Sequence, residues 1–227
     1  MTSARAFKTA ERALGTVTRM EYPPREYLVQ DPAVGLELIR TRPFAHVITS
    51  HGGLRSTRVP VLADSENGRI VRLRAHFDAR NPQAKNLEGQ PVLVSFSGPA
   101  AYVSPNWRAD KTKGGTYDYQ EVQVRGRARV MSDGGFFRQL VDDLSQSIEP
   151  QHSEIADFPV WRALHAPPGH IERQSQYVVA FVIEVESVET IAKLHQGLSE
   201  ADRRSVIAHL ARSRRDDVRA IAALIQP

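Results

Sequence analysis

Three kinds of side chain in this 227-residue sequence are suited to chemistry: histidines, arginines, and the Tyr117-Asp118-Tyr119 run behind the Lys113-Gly114-Gly115 segment. With no cysteine in the chain, a bound metal has to be held by histidine, tyrosine, carboxylate or methionine. His76 closes a strand-like run, and a neutral imidazole is the natural non-thiolate ligand. His195 stands two residues from Lys193 and is a secondary candidate. His46, His51, His152, His165, His170 and His209 lack metal-ligand spacing and read as surface groups. Arg58 offers a guanidinium fork for a carboxylate or phosphate, and Arg80 with Asn81 could cap an anion just after His76. Asp118 could move a proton if held close to a reacting amine. The pairs Gly52-Gly53 and Gly114-Gly115 lack phosphate-loop spacing and read as turns, and no nucleophilic triad or paired-carboxylate pattern is visible.

Composition narrows the setting. At 41% hydrophobic and 25% charged residues, the chain can bury one substantial core plus a small helical appendage. The net charge of +4 comes from basic residues scattered among 26 acidic ones, which favours an anionic small molecule over nucleic acid as partner. No apolar run approaches the roughly 20 residues of a membrane span. The basic opening lacks the apolar stretch of a signal peptide, so a cytoplasmic location is expected. Residues 1–19 read as an N-terminal extension, 20–195 as the main domain and 196–227 as a C-terminal helical segment.

The elements that must position these residues emerge from periodicity. Asp31 caps and Pro32 opens a helix through Thr41. Strands are expected at Ala45–Thr49, Thr57–Ala63 and Arg69–Ala75, the last two joined by an Asn67-Gly68 hairpin turn. Ile70 is expected on one face with Arg72 and Arg74. Residues 80–89 read as a short helix or turn. A strand at Pro91–Ser97 is expected to break at Gly98-Pro99 and resume at Tyr102–Ser104. Tyr119–Ser132 alternates Val122, Val124, Gly126, Ala128 and Val130 with a polar face that carries Arg125, Arg127 and Arg129, which predicts a barrel strand with a solvated arginine side. A helix over Asp133–Ile148, another near Pro159–Leu164, a strand over Tyr177–Thr190 and two final helices, the first capped by Ser199, complete the chain. Many short antiparallel strands with peripheral helices predict an α+β antiparallel β-barrel.

Four stretches, in order, resemble the PaiB-like proteins, a family of FMN-binding negative transcriptional regulators. They are Met20–Pro24 (MEYPP), Ala75–Gln83 (AHFDARNPQ), Val94–Trp107 (VSFSGPAAYVSPNW), and Lys193–Gln196 (KLHQ) with Ser199–Arg203 (SEADR) and Val206-Ile207 after it. The resemblance implies an FMN-binding split β-barrel, working as a homodimer with a cofactor groove between subunits. The chain also departs from the family pattern. Thr57-Arg58-Val59-Pro60 stands for the usual Thr-His-Leu-Pro, Gly115–Tyr119 for Pro-Thr-Trp-Asn-Tyr, Val122-Gln123 for Val-His, and Lys193-Leu194-His195-Gln196 for Lys-Leu-Ser-Gln. A rebuilt pocket on a retained fold points to a specialised enzyme.

In that neighbourhood the chain resembles the haem-dependent piperazate synthases, which cyclise N5-hydroxy-ornithine by N–N bond formation with loss of water. The resemblance then implies haem, with FMN as the alternative, and a small amino-acid-like substrate. His76 would be the iron ligand. Arg58, Tyr117 and Asp118 would serve catalysis. Arg80, Asn81, Tyr102, Ser104, Trp107, Lys193 and Gln196 would line the cofactor. A PaiB-like regulator and a flavin-dependent reductase or oxidase are the rival expectations.

Overall fold

A computed structural model describes residues 22–151 and 159–227. The expected extension 1–19, the first two residues of the MEYPP stretch, and His152 lie outside the described residues.

Helix α1 (Pro32–Thr41) starts where Asp31 accepts a hydrogen bond from the Ala33 amide, at 2.9 Å. Seven antiparallel strands come after it: β1 (Phe44–Thr49), β2 (Arg55–Pro60), β3 (Leu62–Glu66), β4 (Arg69–Asp78), β5 (Pro91–Val103), β6 (Thr116–Met131) and β7 (Val178–Lys193). They form one sheet in the order β2-β1-β5-β6-β7-β4-β3. The two edge strands, β2 and β3, are consecutive in the chain and separated by Val61 alone, so the sheet has to curl round until its edges approach. This is the split-barrel arrangement, a sheet rolled up but not closed by a ladder between its edges. Its interior is apolar, with Leu73, Ala75, Phe77, Val94, Phe96, Val122, Phe181 and Ile183 packed under Leu36 and Ile39 of α1.

Helices α2 (Gly134–Ile148) and α3 (His170–Ser175) lie between β6 and β7, with Phe137, Ile171 and Ala180 packed together. Helices α4 (Glu200–Leu210) and α5 (Asp216–Leu224) cover Ala101 and Val103 near the end of β5 through Val206, Leu210 and Ile221. Ser199 caps α4 by accepting the Asp202 amide at 3.2 Å.

The structure corrects four details expected from the sequence. The expected strand Thr57–Ala63 is two strands, because Val61 is fully buried and donates its amide to the Pro43 carbonyl at 2.9 Å. The expected break at Gly98-Pro99 is a bulge within a continuous β5: Ser97 pairs with Glu121 and Ala100 with Tyr119, so one extra residue is absorbed. Ile70 does not share a face with Arg72 and Arg74, since a register shift at Asp64/Ser65 turns it into the core. Near Pro159–Leu164 there is only a 3-10 turn at Ala163–His165, with α3 beginning further on. Arg125, Arg127 and Arg129 do form a solvated face, paired with Glu189, Glu186 and Glu184 of β7.

Candidate functional site

The chemistry-bearing side chains collect where β6 begins and β7 ends. Successive residues of a strand point to opposite faces. Tyr117 is therefore exposed while Asp118, beside Ala101 of β5, is completely buried. Beyond Lys193 the chain turns, with His195 in the left-handed region at φ 58°. For a non-glycine residue that conformation costs about 1 kcal/mol and marks a position fixed by its surroundings. It brings His195 Nδ1 onto Asp118 Oδ2 in a buried contact.

Among the described residues, the remaining polar atoms of this pair, Asp118 Oδ1 and His195 Nε2, are buried without a hydrogen-bond partner. Arg108, only 5% exposed, donates to the carbonyls of Lys113 and Gly114 at 2.8 and 2.6 Å and also leaves its Nε–H without a partner. Lys193 Nζ donates to Thr116 Oγ1. Gln196 accepts from the Leu194 amide at 2.7 Å and donates to the Ala192 carbonyl at 2.5 Å, which fixes the turn. These groups, with Tyr27, line a cavity of about 220 Å³. Burial, and after it the nearby Glu26 and Asp118 carboxylates, raises the pKa of Tyr27. Tyr119 nearby is pushed up to about 12 by its hydrogen bond with Tyr22 and by burial. A carboxylate that takes the Nδ1–H of an imidazole orients the ring and leaves Nε2 as the working atom.

The other sequence candidates lie elsewhere. His76 pairs with Ala180 at the start of β7, on the opposite face from Ala75 and Phe77, with its ring edge-on to Phe137 of α2 at 5.6 Å. Its Nδ1 is buried without a partner, and burial lowers its pKa, so the ring is neutral near pH 7. Thirteen residues of β7 separate its level from that of Lys193, roughly 40 Å of strand.

Arg80 is exposed and held by Asp78 at 2.7 Å, and that contact, with the Arg80 amide, keeps the Asp78 carboxyl down at about 2. Asn81 donates to Thr57 and accepts the Gln83 amide. Gln83, 1% exposed, in turn donates to the Val47 carbonyl and Thr49. The Arg-Asn-Pro-Gln stretch is thus a latch onto β1 and β2. Arg58 lies over the Phe44 ring at 4.4 Å. Ser104 caps the 3-10 turn Pro105–Trp107, and Trp107 stacks on His209 of α4 at 5.2 Å. Tyr102 and Tyr117 are exposed cross-strand neighbours, 5.7 Å apart, on the face away from Asp118. Of the residues singled out for catalysis or cofactor binding, Asp118, Lys193 and Gln196 come together at the cavity, while Tyr102 and Tyr117 meet each other on the opposite face. The Asp118–His195 pairing and Arg108 were missed, because 77 residues separate the pair and nothing local in the sequence links them. Among the described residues no group of three His, Asp or Glu is placed to hold a metal ion.

A curled seven-stranded sheet of this order places the chain in the split-barrel class that includes flavin- and haem-binding proteins. Solved structures share the fold: the flavocytochrome Anf3 from Azotobacter vinelandii (TM-score 0.52, 17% identity, 78% of this chain and 73% of that one) and an FAD and haem binding protein from Mycobacterium smegmatis (TM-score 0.53, 14% identity, 80% of each). The family model described as "Putative FMN-binding domain" matches residues 21–187, and the chain belongs to that family. Protease synthase and sporulation protein PAI 2 from Bacillus subtilis is 27% identical over 208 residues, covering 90% of this chain and 96% of the relative. The family match ends before Lys193 and His195, whereas His76, Arg108 and Asp118 fall within it.

Proposed function

We propose that the chain is a haem-binding enzyme that works as a homodimer and closes N5-hydroxy-ornithine to piperazic acid. The N–O bond breaks as the N–N bond forms, and the hydroxyl leaves as water with a proton from the attacking amine, so no external electrons are needed. The observation that carries the reading is the His76 imidazole: neutral, half-buried, steadied by Phe137, and with no hydrogen bond from either ring nitrogen among the described residues. An orphaned neutral imidazole is what an axial haem ligand needs. The anion clamps that a flavin phosphate would call for are weaker candidates, because Arg80 and Asn81 are already engaged by Asp78, Thr57 and Gln83.

Ferric haem, when bound, supplies a Lewis acid that polarises the N–O bond. The chain's own part is to hold the iron through His76 and to hold the substrate so that the amine is in line. Arg58, exposed on edge strand β2, is the anion clamp in this reading. Asp118 is fully buried, so it acts on a proton through His195. Because His76 of β4 lies beside the start of β7 and Asp118 of β6 meets His195 just past its end, a pocket that uses both is, in this reading, assembled from two protomers.

The test is the visible spectrum of protein expressed with both 5-aminolevulinate and riboflavin supplied. A Soret band that disappears in His76→Ala, together with piperazic acid formed from N5-hydroxy-ornithine, is the expected result. A flavin spectrum instead would agree with the FMN binding that the family description names and would favour an FMN-binding regulator or a flavin-dependent oxidoreductase. Haem bound with an unchanged spectrum in His76→Ala would remove the ligand assignment.

A further inference from the structure

The cavity at the Asp118–His195 pair has a recognition pattern that does not depend on which cofactor the chain carries. Its lining carries cationic donors with spare capacity, the buried Arg108 Nε–H and the Lys193 ammonium group. It also carries buried acceptors without partners among the described residues, Asp118 Oδ1 and His195 Nε2. Burying such groups unpaired costs stability, which a ligand that pairs them recovers. The volume of about 220 Å³ is below that of drug-sized pockets, which run to roughly 300–1,000 Å³. A ligand that satisfies all four groups is small, carries a carboxylate for Arg108 and Lys193, and carries an N–H or O–H donor for the His195 and Asp118 side.

We propose that this cavity is a binding site for a small amino- or hydroxycarboxylate, with Arg108 and Lys193 holding the carboxylate and the Asp118-oriented Nε2 of His195 accepting a hydrogen bond from the ligand's amine or hydroxyl. The side chain of His195 is 3% exposed and that of Asp118 0%, so the pair is buried. Arg108 is tied to the 113–114 backbone, which fixes one wall of the site.

The experiment is an NMR titration of the full-length protein, carrying whatever chromophore it purifies with, in which the His195 imidazole signals are tracked on adding L-ornithine and, separately, sodium acetate. L-Ornithine is expected to shift the His195 signals saturably and acetate to do so at least tenfold more weakly, since acetate lacks the donor. Lys193→Met is expected to weaken ornithine binding about tenfold or more without changing the fold, and His195→Gln, followed by isothermal titration calorimetry because it lacks the imidazole, to abolish the preference for ornithine over acetate. If neither compound moves the signals, or if ornithine binds Lys193→Met as well as the parent protein, the proposal is wrong. Because the readout is binding and not turnover, a chain that proves to carry flavin, or nothing, leaves this test intact.

Discussion

The state of His76 sets how the protein responds to acid. Burial lowers its pKa from the ordinary value of 6.5, so the folded chain resists protonation at pH values where the unfolded chain accepts it. The unfolded state binds more protons in that window, so stability is fully present above about pH 6.5 and declines as pH falls through 6.5 toward the folded value. The melting temperature of chromophore-free protein should drop between pH 7 and pH 5.5, and His76→Leu should flatten that slope. A slope unchanged in the variant would mean that other groups dominate. Asp118→Asn, by contrast, leaves the His195 ring facing an amide in place of a carboxylate. A loss of about 2 kcal/mol in denaturant unfolding is expected, within the range for a disrupted buried hydrogen bond to a charged group. The sequence disclosed His76 and Asp118 as chemistry-bearing types. It could not disclose that one is orphaned and the other paired, since both properties depend on residues brought in by the sheet.

Arg74 shows how the elements are tied together. It contacts Asp64 of β3 at 2.9 Å and Asp143 of α2 at 2.5 Å, with its side chain 16% exposed, so it fastens a helix to the outside of the barrel. Arg74→Met leaves two half-buried carboxylates without their shared cation and should cost about 2 kcal/mol, less than a fully buried pair would lose. Arg129→Ala, which removes an exposed pair with Glu184, should stay within about 0.5 kcal/mol of the parent. Equal losses in urea unfolding would contradict this ranking. Gly126 is a second fixed point: an added Cβ would collide with the Glu184 carbonyl oxygen, where β7 is bulged at Glu186. The long strands and α2 were legible because period-2 and period-3.6 patterns run unbroken through them, and the Asn67-Gly68 turn because both residues need positive φ, 49° and 77°. Hidden from the sequence were the phase changes. The bulge in β5, the shift at Asp64/Ser65 and the turn at Val61 each exchange inside for outside in the residues beyond them, and each is settled by the partner strand.

At the scale of the whole molecule, the layout leaves an aromatic pair exposed on the sheet. Tyr102 and Tyr117 are 50% and 58% exposed, edge to face on the outer surface of β5 and β6. Large aromatics concentrate at protein interfaces, where one ring buries much area at little entropic cost. Gly115 backs this pair, since a Cβ there would run into the Tyr102 hydroxyl, so the approach of loop to ring admits no side chain. The separation of His76 from the Asp118–His195 pair along β7 points the same way, because a dimer can bring the end of one protomer's strand to the start of its partner's. Sedimentation equilibrium should therefore return twice the 25.3 kDa chain mass. Tyr117→Glu should shift the equilibrium toward the monomer and, on the haem reading, weaken the chromophore with it. On the reading of a pocket shared between two chains, mixing His76→Ala with Asp118→Asn protein under exchange conditions should then restore part of the activity that each lacks. A parent protein that sediments at the mass of one chain with its chromophore bound would exclude both the dimer and the shared pocket.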